Sequence, residues 1–341
     1  MTRVAAIDCG TNTIRLLIAE ADRDQMGRPR LEVLRRRNEI VRLGQGVDRT
    51  GVLDPEALER TLTVVAAYAA DCAELGVAPG EAARRFVATS ATRDARNRED
   101  FVAGVRRLLG IEPEVVSGQE EARLSFSGSL LGAREGAGGG AQGERAQAPR
   151  LIVDLGGGST ELVLGVDAPS AAISLDTGSV RITERFLTGG VTAEAEAAAR
   201  AEVRGLLDGA ERVVDLSAPG QLVGLAGTIT TVTAHALGLQ AFDPQALGGA
   251  ELSPQVVLAS CEAIVHSTAE QRASWGYLAP GRRDVIAAGA LVWSEVVSRV
   301  VERTTAAGRP LERVITSLYD ILDGIALSLV PTQRPAEGAG A

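Results

Sequence analysis

The chain has 341 residues, 45% hydrophobic and 23% charged, enough for two lobes of ordinary domain size with substantial cores. Its formal net charge of -9 argues against broad adhesion to nucleic acid, and because all 35 basic residues are arginine, Walker, Schiff-base and catalytic lysines are excluded. Two histidines (His235, His266) and three scattered cysteines (Cys9, Cys72, Cys261) leave carboxylates, hydroxyls, arginines and backbone amides to carry the chemistry.

In chain order, residues 4–18 read as a buried strand, a Gly/Thr/Asn turn and a returning strand. Residues 55–75 have helical periodicity, opened by Asp54 as a cap and Pro55 in the first turn. A strand over 85–89, a helix over 99–109, a short strand over 114–116 and a helix over 119–131 complete a first lobe, residues 1–130. Residues 131–150, rich in Gly and Ala, read as a flexible insertion. A second lobe, 151–317, follows with strands near 172–175 and 222–225 and helices near 193–207, 254–268 and 282–301. A last helix, 318–329, is a candidate to complete the first lobe, and 331–341 reads as a solvated tail. The short apolar start is no signal sequence, no stretch reaches the roughly 20 apolar residues of a membrane span, and the cysteine pattern fits a reducing cytoplasm.

Two segments repeat one pattern. Aligning Asp8 with Asp154 also pairs Gly10 with Gly156 and Thr13 with Ser159, at a constant offset of 154 − 8 = 146 residues. In both, an apolar strand ends in Asp, a glycine turn with hydroxyl side chains follows, and an apolar strand returns. Glycine lets backbone N–H groups approach an anion, Thr and Ser add donors, and a strand-terminal Asp is placed to meet a metal ion or its water. One glycine hairpin is ordinarily just a turn; two, each after a strand-terminal Asp and one lobe apart, point to phosphate binding.

Four segments carry a more specific likeness: Ile7-Asp-Cys-Gly-Thr-Asn-Thr-Ile-Arg15, Ala88-Thr-Ser-Ala-Thr-Arg-Asp94, Ser117-Gly-Gln-Glu-Glu-Ala-Arg123 and Val153-Asp-Leu-Gly-Gly-Gly-Ser-Thr-Glu161. In order and spacing they resemble the exopolyphosphatase and guanosine pentaphosphate phosphohydrolase family, within the actin, Hsp70 and sugar-kinase superfamily. The resemblance covers the chain to about Leu329. It implies an α/β fold of two actin-like (ribonuclease H-like) lobes with a cleft between them. It implies one phosphate loop from Gly10, Thr11, Asn12 and Thr13 with Arg15 nearby, a second from Gly156, Gly157, Gly158 and Ser159, and Arg93 as a phosphate clamp. It places the catalytic carboxylate at Glu121, as base for a water attacking the terminal phosphorus. Gly227 and Thr228 resemble the superfamily's third glycine turn and are candidates to touch a longer substrate.

Asp8, Asp154 and Glu161 are candidates to hold Mg2+ or Mn2+, directly or through water, because an anion facing so many carboxylates needs a cation between. Polyphosphate or guanosine pentaphosphate is the expected substrate. Inhibition by guanosine tetraphosphate and homodimerisation are further expectations, with no role for nucleic acid or membranes. The chain resembles the family's short form, without the C-terminal domain of the longer exopolyphosphatases.

Three other readings compete. Cys9 to Arg15 spells the cysteine-phosphatase signature, but that chemistry needs a strand-loop-helix, and Leu155 stands at the repeat position of Cys9. A small-molecule kinase would share the loops, although Glu121 favours water as acceptor. A noncatalytic alarmone sensor would bind without turnover.

Overall fold

The computed structural model describes residues 2–135 and 149–330. Most of the expected flexible insertion, and the tail from 331, lie outside the described residues. The first sheet is built from β1 (Thr2–Cys9), β2 (Thr13–Arg23), β3 (Pro29–Ile40), β4 (Arg84–Ala88) and β5 (Glu114–Val115), in the order β3-β2-β1-β4-β5. The second uses β6 (Arg150–Leu155), β7 (Thr160–Gly165), β8 (Pro169–Leu175), β9 (Gln221–Leu225), β10 (Glu251–Leu252) and β11 (Val314–Thr316), in the order β10-β11-β9-β6-β7-β8. The plan is the same twice: β1 pairs antiparallel with β2 and parallel with β4, as β6 does with β7 and β9. This is the paired actin-like arrangement.

The first half carries α1 (Val47–Thr50), α2 (Pro55–Glu74), α3 (Ser90–Asp94), α4 (Arg98–Leu109) and α5 (Gly118–Glu135). The second carries α6 (Ser179–Ile182), α7 (Ala193–Ala210), α8 (Ala226–Ala236), α9 (Pro244–Leu247), α10 (Pro254–Val265), α11 (Ala269–Ser274), α12 (Ile286–Ala306) and α13 (Ile321–Ser328). Asp54 caps α2 by accepting from the amides of Glu56 and Ala57, with Pro55 at the first position. The helix buries Ala57, Thr61, Val65, Tyr68 and Cys72, a stripe at helical spacing. Strand β3 has no counterpart in the sequence reading. Its run of arginines conceals it: Arg35 and Arg37 both reach Asp71 on α2, so charge fixes this edge strand where apolar alternation would be the usual mark.

Two helices cross between the halves. Ala122 and Phe126 of α5 pack with Ile152, Val163, Val223 and Leu225 of the second sheet. Ile321, Leu322 and Ile325 of α13 pack with Ala6, Leu17 and Val87 of the first. A boundary at residue 130 therefore cuts α5, which continues to Glu135 and lies on the other half's sheet. The two helices touch through glycine. A Cβ at Gly128 would fall 1.8 Å from the Asp320 carbonyl oxygen, and one at Gly324 would fall 2.0 Å from that of Leu124.

Candidate active site

The two hairpin tips share a cavity of about 90 Å3, room for a phosphate group and a few waters. Asp8, next to last in β1, lies opposite Arg15, and Asp154, next to last in β6, lies opposite Glu161. The turns close alike: the Gly10 amide donates to the Thr13 carbonyl at 2.9 Å, and the Gly156 amide to the Ser159 carbonyl at 3.0 Å. Gly10, Thr11, Asn12, Thr13 and Arg15 line the cavity from one side. Gly156, Gly157 and Ser159 line it from the other, with Glu121, Asp8, Asp154 and Glu161 on the walls. Among the described residues the amides of Thr11, Asn12 and Gly157 donate no backbone hydrogen bond, so they are available to an anion.

Gly227 and Thr228 also line the cavity, in the first turn of α8, whose leading amides have no side-chain cap. Ala226 there has φ 72, a left-handed conformation that costs a non-glycine residue strain, which is common where backbone is shaped around a site.

Two expected residues stand elsewhere. Arg93 does not line the cavity; its Nη1 donates to the Val116 carbonyl at 3.1 Å and to Glu121 Oε2 at 3.3 Å, so it holds the proposed base in place of a phosphate. Gly158 faces the first half instead, where a Cβ would meet Thr11 Oγ1 at 2.5 Å and Ser90 Oγ at 2.7 Å. Its carbonyl accepts from Arg181 Nε at 2.7 Å. Glycine is needed there for the close approach of the two halves.

The acids differ in support. Asp8 Oδ2 accepts from Arg15 at 2.9 and 2.6 Å, and Arg15 also bonds Asp320, the N-cap of α13. Asp154 Oδ2 accepts from Ser125 Oγ at 2.6 Å, and Glu161 Oε1 from Ser174 Oγ at 2.7 Å. Burial raises the pKa of Asp8, opposed by Arg15. Burial pushes Glu121 up to about 8 against the pull of Arg93, with Asp154 and Asp8 adding to the rise. Asp154 is raised to about 6 by burial and the Asp320 charge, and Glu161 well above the usual range by burial and then Glu121.

Residues that the sequence did not single out complete the site. Ser90 shares a 2.9 Å hydrogen bond with Thr11, and Ser179 lines the cavity. Arg282 lines it too, with its guanidinium against Gly227, and among the described residues it makes no side-chain hydrogen bond or ion pair. Burial, helped by the Arg15 charge, lowers its pKa to about 10. Some signals were readable: Ser125 stands four residues after Glu121 on one helix face, and Asp320 precedes Asp323 at capping-box spacing. Nothing local marks Arg282, which arrives from a distant segment.

The donor set suits a hard divalent cation: buried carboxylate oxygens with no thiol or imidazole among them. Asp8, Asp154 and Glu161 do not bring three oxygens within 4.8 Å of one another; among the described residues only Glu196, Glu262 and His266 do. That surface group is tied up by Arg200, which bonds both Glu196 and Glu262. Cys9 is 1% exposed, its pKa is raised by burial, and the turn after it leads into β2 rather than a helix, so nothing activates a thiol.

Paired lobes that close glycine turns on a small, acid-walled cavity define an actin-like phosphate-processing enzyme. Residues 17–307 match the model of the Ppx/GppA phosphatase family, and the chain belongs to that family of hydrolases. "Exopolyphosphatase 2" of Mycobacterium tuberculosis is 44% identical over 337 residues, covering 96% of this chain and 99% of its own. The crystal structure of an exopolyphosphatase-like protein matches with a TM-score of 0.85 at 41% identity, covering 96% of this chain and 97% of that one. The crystal structure of the Aquifex aeolicus Ppx/GppA family member matches with a TM-score of 0.71 at 27% identity, covering 96% and 97%. No helix among the described residues is long and apolar enough to cross a membrane.

Proposed function

We propose that the protein is an exopolyphosphatase releasing terminal orthophosphate from inorganic polyphosphate, short chains in particular, with Glu121 as general base. The name of the mycobacterial relative supports the activity. One observation carries the mechanism: Glu121 is 7% exposed, lies in the cavity between the two glycine turns, and has a pKa raised by burial to about 8, suited to taking a proton near neutral pH.

In this reading the amides of Thr11, Asn12 and Gly157 take oxygens of the terminal phosphoryl group, and Arg282 supplies the positive charge not already committed to a carboxylate. Arg93 holds Glu121 Oε2, leaving Oε1 to accept a proton from water. As the water oxygen bonds to phosphorus, the bridging P–O bond breaks and its electron pair stays on the shortened chain. Asp154, Glu161 and Asp8 would hold Mg2+ or Mn2+, partly through water. When bound, the cation neutralises charge between phosphate oxygens and the acidic walls.

Among the described residues no aromatic side chain lines the cavity, and the choice of an inorganic chain over guanosine pentaphosphate rests on the relative's name. The test is orthophosphate release from short polyphosphate, long polyphosphate and guanosine pentaphosphate, with and without Mg2+. Fastest Mg2+-dependent release from short polyphosphate is expected. Release from guanosine pentaphosphate alone would reassign the substrate, and binding without release would make the protein a sensor.

A further inference from the structure

We infer that Ser125 is a positioning residue for the reaction, a hydroxyl that ties the Asp154 carboxylate to the helix carrying the general base. The inference rests on the functional reading above. Ser125 is fully buried, and its Oγ donates to Asp154 Oδ2 at 2.6 Å. It follows Glu121 by four residues on α5, so the two side chains share one face, about 6 Å apart along the axis. Asp154 belongs to a strand of the second sheet. One rigid helix thus presents the proton acceptor and also holds the acid across from it. The bond occupies one carboxylate oxygen, and among the described residues Asp154 makes no other side-chain hydrogen bond. Oδ1 is left for a cation or its water.

The ordinary role of a helical serine is visible one turn on. Ser129 Oγ returns to its own helix, donating to the Phe126 carbonyl at 2.7 Å. Ser125 instead spends its hydroxyl on the site. The helix is also pinned at its first residue and near its middle against supports of the remaining acids. At Gly118 a Cβ would fall 2.3 Å from Ser174 Cβ, and Ser174 donates to Glu161. At Gly128 the helix meets the Asp320 carbonyl, and the Asp320 side chain bonds Arg15, which holds Asp8. Each acid is therefore referenced to α5, and Ser125 is the direct hydrogen bond from that helix to an acid of the hairpin tips.

The test compares wild type, Ser125→Ala, Ser125→Thr, Asp154→Asn and the Ser125→Ala/Asp154→Asn pair. Four quantities are read: Mn2+ affinity of substrate-free protein by electron paramagnetic resonance, kcat and KM on short polyphosphate, and Tm. Loss of a hydrogen bond to a metal-holding group typically lowers metal affinity or activity about 10- to 100-fold. Ser125→Ala should lose both Mn2+ affinity and kcat in that range, with KM and Tm nearly unchanged. Threonine should restore much of the loss, and on the Asp154→Asn background the alanine change should cost nothing further. Unchanged Mn2+ affinity, full additivity in the pair, or no Mn2+ binding by wild type overturns the inference. A wild type that binds Mn2+ yet releases no phosphate from polyphosphate sinks the functional reading instead, and the Mn2+ comparison still decides Ser125.

Discussion

The β1–β2 and β6–β7 hairpins have one geometry and opposite electrostatics. Both carry Asp next to last in their first strand, both close the turn with a glycine amide, and both place one side chain opposite that Asp. In the first hairpin that residue is Arg15, which compensates Asp8 and Asp320; in the second it is Glu161, which crowds Asp154. A repeated backbone supplies two anion-binding turns, while one substitution between the copies makes one half self-neutralising and the other dependent on a cation or protons. Glu121, brought by α5, adds to the deficient half.

The largest effect expected from this contrast is catalytic. Glu121→Gln should fold and bind substrate but lose phosphate release by about 100-fold or more, as for a lost general base. Near-normal turnover would remove Glu121 from the mechanism.

Stability should separate the hairpins next. Arg15→Gln leaves Asp8 and Asp320 buried without their partner and should cost about 3–5 kcal/mol in denaturant melts. Glu161→Gln should instead stabilise cation-free protein at pH 8, because it removes a crowded charge. Equal destabilisation by both would break the comparison.

A pH series sharpens it. Asp154 has its folded pKa raised to about 6 and Glu121 to about 8, above the ordinary 3.8 and 4.5. A raised folded pKa means that stability from these groups is full below the ordinary value and lost as pH rises through the folded one. Cation-free protein should therefore lose stability through about pH 6 and pH 8, and Mg2+ should raise Tm more at pH 8 than at pH 5. Glu121→Gln should lack the upper part of that loss; an identical pH profile would count against the buried, shifted base.

The smallest effect belongs to Cys9. Its position in the repeat is filled by Leu155, and both side chains are buried. Cys9→Val should change turnover only a few-fold, since volume-conserving apolar swaps in a core usually cost less than about 1.5 kcal/mol. A dead valine variant with intact fold would reopen thiol chemistry.

Much of this was legible because it is local. The hairpins announce themselves by apolar runs around glycine turns, whereas Glu121 was picked out only through the family resemblance of its segment. What was hidden depends on contacts distant in sequence. Arg93 looks like a free cation until α5 brings Glu121 to it. Gly158 is inseparable from its neighbours by composition, yet it serves the approach of Thr11 and Ser90. Strand β3 is masked because its arginines are matched by acids on α2. The exchange of α5 and α13 between sheets cannot be read from periodicity, which says that a helix has an apolar face but not which sheet covers it.

The most direct test of the central claim, attack by water assisted by Glu121 and a divalent cation, is orthophosphate release from short polyphosphate by metal-stripped protein as Mg2+ is added back. Wild type and Cys9→Ser should both be silent after stripping and recover together, while Glu121→Gln stays silent at every Mg2+ concentration. A stripped wild type that remains active, with Cys9→Ser dead, would contradict the account.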